Sequence, residues 1–437
     1  KSSGTQVTLI TRPRRFGKTL GMSTLECFLD IQKDSQSLFD GLEISKQRNI
    51  CDEWMNKWPV MSLSLKAVEG NDFSTAYMQL VYEVGELFKK HEYLMESPVL
   101  NAEEKKKFDD IRYGRAGKIE VMRSLQILSE FLSKYYNKSV ILLIDEYDVP
   151  MARATSNGYY KEMLEIMKGF MQALKDNSYL KLAVVTGCLK IAKESIFTGT
   201  NNFVSNTITS SRLNEYYGFV QSEVDRILED ADINGKEEIM KKWYDGYHFG
   251  DVDVYCPWDV MCYVDDLQNN PDAKPDEYWK DTSDNAIIRS FIDYAGASIT
   301  KKLETLMNAG VSITKKMETL MSGGYILQRV DENLTYDYLH SSEENLWSLL
   351  YLTGYLTKAK DDVYRGTLPE ETYALKIPNV EIREIFETTI KRWFEDSAKI
   401  WDRKHLFDAV WEGDSEEITL EMRKLLRKTI SYHDYRE

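Results

Sequence analysis

An apolar run that breaks into a basic loop ending in Gly-Lys-Thr constrains the fold of this chain more than any other feature. Residues 8–19 read TLITRPRRFGKT, and Met22, Leu25 and Leu29 follow at helical spacing. A strand, a loop and a helix in this order would point the free N–H groups and the positive dipole end of the helix at a polyphosphate. The sequence therefore predicts a phosphate-binding loop within an α/β fold that has a parallel sheet.

The general pattern GxxxxGK[ST] gives the residues of this loop physical roles. Gly17 lets the backbone approach the phosphates, Lys18 reaches the β and γ oxygens, and the Thr19 hydroxyl binds Mg²⁺. The first glycine of the pattern falls on Arg12. This loop therefore has to turn without the usual permissive residue.

The residues between Arg12 and Gly17 complete the expected nucleotide-binding stretch. Arg14, Arg15 and Phe16 belong to it, and the first twenty residues contain no acid. Clustered arginines without acids suit a local anion site. The alternative is a solvated basic turn in front of an ordinary amphipathic helix, because a bare GKT is common by chance.

Composition and sequence signals bound the class of protein. The chain has 437 residues, enough for two or three domains, and a formal net charge of −15, which argues against non-specific binding to nucleic acid or an acidic membrane. The five cysteines are odd in number and scattered, which indicates a reducing, cytoplasmic compartment. Because there is no long apolar run or signal peptide, we expect a soluble protein. The chain opens with Lys1 and without an initiator Met, so we expect a fragment.

A second buried strand, the DE strand, ends in acids. Residues 140–144, VILLI, form a continuous apolar run, as expected when helices cover both faces of a parallel sheet. Asp145 and Glu146 follow at the strand end, where α/β sheets bind ligands. Asp145 would hold the Mg²⁺ that Thr19 touches, and Glu146 would polarise an attacking water. The alternative is a plain strand followed by an acidic turn.

Further strands and helices alternate along the first half. Strand-like runs occur at 60–65, 182–185 and 203–208, and a helical pattern runs over 73–88. The run at 182–185 ends in Thr186. If this strand lies beside the DE strand, Thr186 could contact the γ-phosphate or the water as a sensor. A plain strand-to-loop turn explains Thr186 equally well.

Several stretches together resemble the prokaryotic AAA-ATPase-like family of predicted ATPases, whose members often carry a C-terminal PD-(D/E)xK-type nuclease domain. The matching stretches include TRPRRFGKTLGMS, LLIDEYDVP, TGCLKIAKESIFTGTNNF, KWYDGYHFG, YCPWDV, YWKDTSDN, NLWSLLYLTGYLT and LKIPNVEIREIF. The resemblance implies a P-loop ATPase core with an extra strand between the phosphate-loop strand and the DE strand. In that family, RPRRFGKT is the usual form of the loop.

The same resemblance implies ATP and Mg²⁺ as cofactors and suggests which residues act on them. The implied residues are Gly17, Lys18 and Thr19 for phosphate and metal, Asp145 and Glu146 for metal and water, and Thr186 as sensor.

The second half of the chain, beyond about residue 212, is mainly helical in pattern. We expect a P-loop ATPase core over 1–215, a helical lid or linker over 216–325, a winged-helix-like unit over 326–394 and the start of a truncated nuclease-like domain over 395–437. No PD-(D/E)xK constellation follows, so nuclease activity is not expected of this chain.

Smaller features of the second half are a turn or hairpin and an internal duplication. The turn or hairpin is expected at 245–250. Residues 298–307 recur almost unchanged at 312–321, which we interpret as a local insertion in a helical lid. Trp258 and Trp279 are expected to be structural aromatics.

The predicted function is Mg²⁺-dependent ATP hydrolysis that moves the helical C-terminal half against the core. One of Arg12, Arg14 or Arg15 is a further candidate for neutralising charge on the γ-phosphate. The alternative is a nucleotide-gated switch with little turnover, whose C-terminal half binds a protein or nucleic-acid partner. GTP is a third possibility, but no guanine-selective NKxD sequence stands at the expected place, so we prefer ATP. No membrane partner is expected, and Arg212 is a phosphate-sensor candidate by position only.

Overall fold

A five-stranded parallel sheet forms the centre of the first half. The computed structural model describes residues 6–175, 177–191, 203–279, 310–334, 342–360, 368–389, 415 and 417. The strands of the sheet are β1 (Gln6–Thr11), β2 (Val60–Ser64), β3 (Val140–Asp145), β4 (Leu180–Gly187) and β5 (Phe203–Asn206). They lie in the order β2-β3-β4-β1-β5, and every neighbouring pair is parallel. The expected extra strand is therefore β4, which lies between β1 and β3.

Helices cover both faces of this sheet. In β3 every residue is buried; Ile141 and Leu143 belong to one apolar core, whereas Leu142 and Ile144 belong to the other. The two-sided burial explains why the strand reads as a continuous apolar run. The helices are α1 (Lys18–Leu29), α2 (Arg48–Trp54), α3 (Phe73–Lys89), α4 (Ala102–Arg112), α5 (Lys118–Met122), α6 (Ser124–Tyr136), α7 (Val149–Asn157) and α8 (Tyr160–Phe170), with short 3₁₀ turns at Gln36–Phe39, Glu43–Lys46, Glu92–Met95 and Met171–Leu174.

The second half combines helices with two small antiparallel sheets. Its elements are α9 (Gln221–Asp230), α10 (Glu237–Tyr244), β6 (Tyr247–Phe249), β7 (Val252–Val254), α11 (Pro257–Asn269), α12 (Gly310–Met321), β8 (Ile326–Arg329), α13 (Glu343–Leu352), β9 (Thr357–Lys358), β10 (Thr372–Lys376) and helical residues 380–389. The strands β6 and β7 pair as a hairpin at the place where a turn or hairpin is expected. A second sheet has the order β8-β10-β9.

The domain boundaries expected from the sequence stay predictions. The small sheet β8-β10-β9 and α13 lie in the region for which a winged-helix-like unit is expected. Of the region 395–437, the structure describes only residues 415 and 417, so the nuclease-like domain lies outside it. The first copy of the duplication, 298–307, also lies outside, and the second copy falls within α12. Among the described residues, no helix combines the length and apolarity needed to cross a bilayer.

Candidate functional site

The phosphate loop, residues 12–19, connects β1 to α1 and turns through two left-handed residues. Gly17 has a φ of 75° and precedes Lys18, the first residue of α1, without a side-chain cap on the helix. A side chain at Gly17 would meet no atom within 4 Å, so the backbone conformation rather than space favours glycine. Arg15 has a φ of 74°, so it provides the second left-handed turn. The loop thus turns without a glycine at position 12.

Lys18 is buried at the centre of the site. Its Nζ donates to the carbonyl oxygens of Arg12 at 3.1 Å and Pro13 at 3.0 Å, and lies 3.8 Å from Glu146 Oε1. Burial works against the charged form, but the attraction of Cys188 and of the acids around the site outweighs it and raises the Lys18 pKa. Lys18 is therefore a cation held beside the loop backbone, where an incoming phosphate could take over its hydrogen bonds.

Asp145, at the end of β3, joins two of the expected site residues. The Thr19 hydroxyl of α1 donates to Asp145 Oδ2 at 2.6 Å, and the Thr186 hydroxyl of β4 donates to Asp145 Oδ1. A carboxylate and a hydroxyl at one point are hard oxygen ligands of the kind that Mg²⁺ prefers. The described residues contain no group of three or more His, Cys, Asp or Glu side chains that could hold a metal. Thr19 and Asp145 fit a Mg²⁺ that is also bound by phosphate oxygens.

Glu146 lies beside Lys18 in an uncommon backbone conformation. Its φ is 54°, a left-handed value that glutamate rarely adopts, and its side chain is 18% exposed. Burial raises the Glu146 pKa, Lys18 opposes that shift, and Asp148 and Asp145 add to it. Strain of this kind persists where the surrounding structure fixes the residue, as it does in functional sites.

Asp148 and Tyr147 are two site residues that the sequence interpretation missed. Asp148 Oδ2 accepts hydrogen bonds from the backbone N–H groups of Cys188 at 3.0 Å and Leu189 at 2.9 Å. The Tyr147 hydroxyl donates to Leu189 O at 2.6 Å. These bonds fasten the chain after β4 to the turn after β3 and so hold Thr186 and Asp145 side by side. The four-residue run Asp-Glu-Tyr-Asp after the DE strand is the signal that could have identified them.

Gly187, directly after Thr186, lets these two turns approach each other. A side chain there would place its Cβ 2.5 Å from Asp148 Oδ1 and 2.7 Å from the Tyr147 ring, distances that real Cβ atoms do not show. The glycine is therefore required by space.

The three arginines of the loop lie in different environments. The Arg12 guanidinium is buried and donates to backbone oxygens of Asn206 in β5 and of Leu213 in the segment after it. Arg14 and Arg15 are both partly exposed, and the Arg15 guanidinium lies 4.2 Å from the centroid of the Trp258 ring. Trp258 is 42% exposed, so the expectation of a purely structural aromatic fits Trp279, which is 1% exposed, better than Trp258.

The Phe16 side chain is buried in the core of the second half of the chain. Its ring packs edge-on against Tyr247, with centroids 4.9 Å apart, and lies 5.0 Å from the Phe249 ring. Trp279 Nε1 donates to Arg14 O at 3.3 Å and so adds a second contact between the loop and that core. Only the Phe16 backbone can therefore face a bound nucleotide.

Replacing Phe16 with alanine should destabilise the protein. Removing a buried aromatic ring leaves a cavity, and such changes cost about 3 kcal/mol or more. Urea unfolding followed by circular dichroism measures the loss in the free energy of unfolding. Leu20→Ala is the matched control, because Leu20 lies close by in α1 but is 71% exposed, and its truncation should change stability by less than about 0.5 kcal/mol. Equal losses for the two variants would contradict the packing role of Phe16.

Two buried acids support the loop from the second half. Glu381 Oε1 accepts a hydrogen bond from the Trp279 backbone N–H at 2.7 Å, and both Glu381 and Asp259 are fully buried. Burial raises the pKa of both carboxyls, and the charge of Asp259 raises the pKa of Glu381 further. Glu381 therefore keeps a proton at neutral pH in the folded protein.

Stability should fall as the pH rises, because of Glu381. In the folded state Glu381 keeps a proton that it loses in the unfolded chain above the ordinary glutamate pKa. Its contribution to the free energy of unfolding is therefore present at low pH and is lost as the pH rises. Glu381→Gln keeps the acceptor for Trp279 and should gain about 1 kcal/mol over wild type at pH ~8. Thermal melts from pH ~5 to ~8 test this. A pH profile unchanged from wild type, or equal gains from the exposed Glu387→Gln on the same helix, would refute it.

Sheet order, loop and converging residues define the class of this fold. A parallel sheet with β4 between the phosphate-loop strand and the acid-ending strand, and a helix that begins at Lys18, is a P-loop NTPase fold. Residues 1–197 match the model of a family described as predicted AAA-ATPase, AAA-ATPase_like. The C-terminal nuclease domain expected from the sequence resemblance stays a prediction.

Similarity to individual proteins is distant. A protein of Azotobacter chroococcum mcd 1, described as an uncharacterized protein in the vnfD 5′ region, is 23% identical over 415 residues, which cover 93% of this chain and 67% of that protein. The Walker-type ATPase paby2304 of Pyrococcus abyssi is 15% identical, with a TM-score of 0.39 over 87% of this chain and 91% of that one. The Aeropyrum pernix ORC2 protein, in ADPNP and ADP complexes, is 10% identical, with a TM-score of 0.30 over 88% of each chain.

Proposed function

We propose that this protein binds ATP together with Mg²⁺ and hydrolyses it. One observation carries the proposal: residues from the start of α1 and the end of β3 meet at one place. Thr19 donates to Asp145 at 2.6 Å, and Lys18 lies 3.8 Å from Glu146, although more than a hundred residues separate each pair. The match of residues 1–197 to a predicted ATPase family supports the same function.

Each residue has a role that its chemistry allows. Lys18 would leave the carbonyl oxygens of Arg12 and Pro13 and bind the β and γ oxygens of the nucleotide. Thr19 and Asp145 would hold Mg²⁺, which supplies charge neutralisation on the phosphates when bound. The backbone N–H groups at the start of α1 face the same ligand.

Glu146 and Thr186 would act on the attacking water. Glu146 is partly buried next to Lys18, which suits a carboxylate that orients and polarises water. Thr186 donates to Asp145 in this structure, so its hydroxyl lies at the acid end of the sheet. From there it could report the presence of the γ-phosphate. ATP is favoured over GTP because the chain lacks a guanine-selective NKxD sequence.

A nucleotide-gated switch with little turnover is the second candidate. The packing of Phe16 supports it. The Phe16 ring belongs to the core of the second half, so movement of the loop would be felt there. Such a switch would bind a protein or nucleic-acid partner through that half. Both candidates involve movement of the second half. They differ only in the rate of ATP turnover.

Phosphate release with and without free Mg²⁺ tests the proposed reaction. We expect ATP turnover in the presence of Mg²⁺ and its loss, by about a hundredfold or more, when EDTA removes the metal. Isothermal titration with ATP and with GTP, run alongside, gives the affinities and the base preference. Binding without turnover would favour the switch, and absence of binding would refute both candidates.

A further inference from the structure

Arg12 occupies the place of the first glycine in the general phosphate-loop pattern and is fully buried. Its guanidinium donates to three backbone carbonyl oxygens: Thr11 O at 2.8 Å, Asn206 O at 3.1 Å and Leu213 O at 2.7 Å. Thr11 is the last residue of β1, directly before Arg12, whereas the other two acceptors come from the end of β5 and from the chain after it. The planar guanidinium group, with its several N–H donors, is suited to holding several acceptors in fixed directions.

Two aromatic rings complete the environment of this guanidinium. The Tyr217 ring centroid is 5.6 Å from the Arg12 Cζ atom and the Phe249 centroid is 5.5 Å away, both within cation–π range. Burial lowers the Arg12 pKa to about 10, so the side chain stays charged at neutral pH. A buried charge is costly to hold, so its position indicates a specific structural task.

The segment 206–217 supplies three of the four partners that the Arg12 guanidinium has beyond β1, namely Asn206, Leu213 and Tyr217, and it also contacts the second half. Gly250 N donates to Ile208 O at 2.8 Å, and Asn214 donates to the Asp251 carboxylate; both partners lie in the turn between β6 and β7. The Thr207 hydroxyl donates to Glu332 Oε2 at 3.0 Å, beyond β8. The segment therefore contacts both Arg12 and the hairpin β6–β7, and the hairpin also reaches Arg12 directly through Phe249.

The backbone of Arg12 meets the phosphate-binding lysine. Lys18 Nζ donates to Arg12 O at 3.1 Å, so one residue is bonded to Lys18 through its carbonyl and to the segment 206–217 through its side chain. When Lys18 turns to a phosphate, Arg12 O loses that donor. A change at the loop would then reach the segment through Arg12.

We propose that Arg12 is a positioning residue that couples nucleotide occupancy of the phosphate loop to the hairpin β6–β7 through the segment 206–217. The inference rests on the proposed ATP binding. In this proposal Arg12 holds the segment 206–217 in place, whereas the sequence suggests a contact with phosphate. It also explains why glycine, the general residue at this position, would serve poorly in this chain.

Hydrogen–deuterium exchange with and without saturating ATP tests the coupling. In wild type, ATP should change exchange both in the phosphate loop and in residues 247–254. Arg12→Lys keeps the charge but loses the planar set of donors, so ATP should still change exchange in the loop but should change it less than in wild type in residues 247–254, which Phe16 also contacts. Arg12→Gly restores the general pattern, yet ATP affinity should fall by about tenfold, because the loop loses its charged hydrogen bonds.

A variant that leaves Arg12 intact keeps the test decisive if the Arg12 variants do not fold. Asn214→Ala removes the hydrogen bond from the segment to Asp251, so ATP binding should persist while the response of residues 247–254 is reduced. Wild-type responses in Arg12→Lys and Asn214→Ala, or wild type that binds ATP without a response in the hairpin, would overturn the coupling alone. Wild type that binds no ATP would instead refute the proposed function.

Discussion

Replacing Lys18 with alanine should abolish detectable ATP binding. The Lys18 ammonium is the cation that lies between the loop carbonyls and Glu146, and no neutral side chain can replace its charge-assisted bonds to phosphate oxygens. Losing two such bonds costs about 3 kcal/mol or more, which weakens binding by at least about a hundredfold. Isothermal titration with a slowly hydrolysed ATP analogue and Mg²⁺ measures the loss.

Two controls separate lost binding from lost structure in this experiment. Lys138→Ala removes an exposed lysine at the opposite end of the sheet, before β3, and should leave ATP affinity unchanged. Circular dichroism should show that Lys18→Ala is folded, since the loop also depends on Arg12 and Phe16 contacts that this change leaves in place. A folded Lys18→Ala protein with wild-type affinity would exclude residues 12–19 as the phosphate site.

The architecture of the first half could be predicted because its signals are local. Apolar strands followed by GKT or by two acids can be recognised within a dozen residues, and parallel strands bring such ends to one edge of a sheet. Thr19 and Thr186 both donate to Asp145 at this edge. The position of β4 beside the DE strand came from family resemblance, because strand order leaves no trace in periodicity.

The contacts that hold the loop could not be predicted, because they join residues far apart in the chain. Arg12 and Phe16 read as part of a basic, phosphate-facing stretch, yet their partners lie about two hundred residues further on, at Asn206, Leu213 and Tyr247. Hydrophobic spacing indicates which face of an element is buried but not what covers it. The identity of the covering element requires the tertiary structure.

Replacing Glu146 with glutamine should preserve ATP binding and remove turnover. Glutamine has nearly the same shape, so the loop and Asp145 can keep their positions, but an amide cannot accept a proton from water. A lost general base lowers the rate by about a hundredfold or more. Phosphate release under single-turnover conditions measures the rate, and isothermal titration of the same protein measures affinity.

The neighbouring Asp148 provides the comparison that makes the Glu146 result specific. Asp148→Asn changes an acid two residues away, but its oxygen can still accept the hydrogen bonds from Cys188 and Leu189. That variant should therefore keep most of both its stability and its turnover, because the backbone of residues 188 and 189 stays fastened to the turn after β3. If instead Asp148→Asn loses turnover while Glu146→Gln keeps it, the acid that polarises the water is Asp148, and the strained backbone at Glu146 requires another explanation.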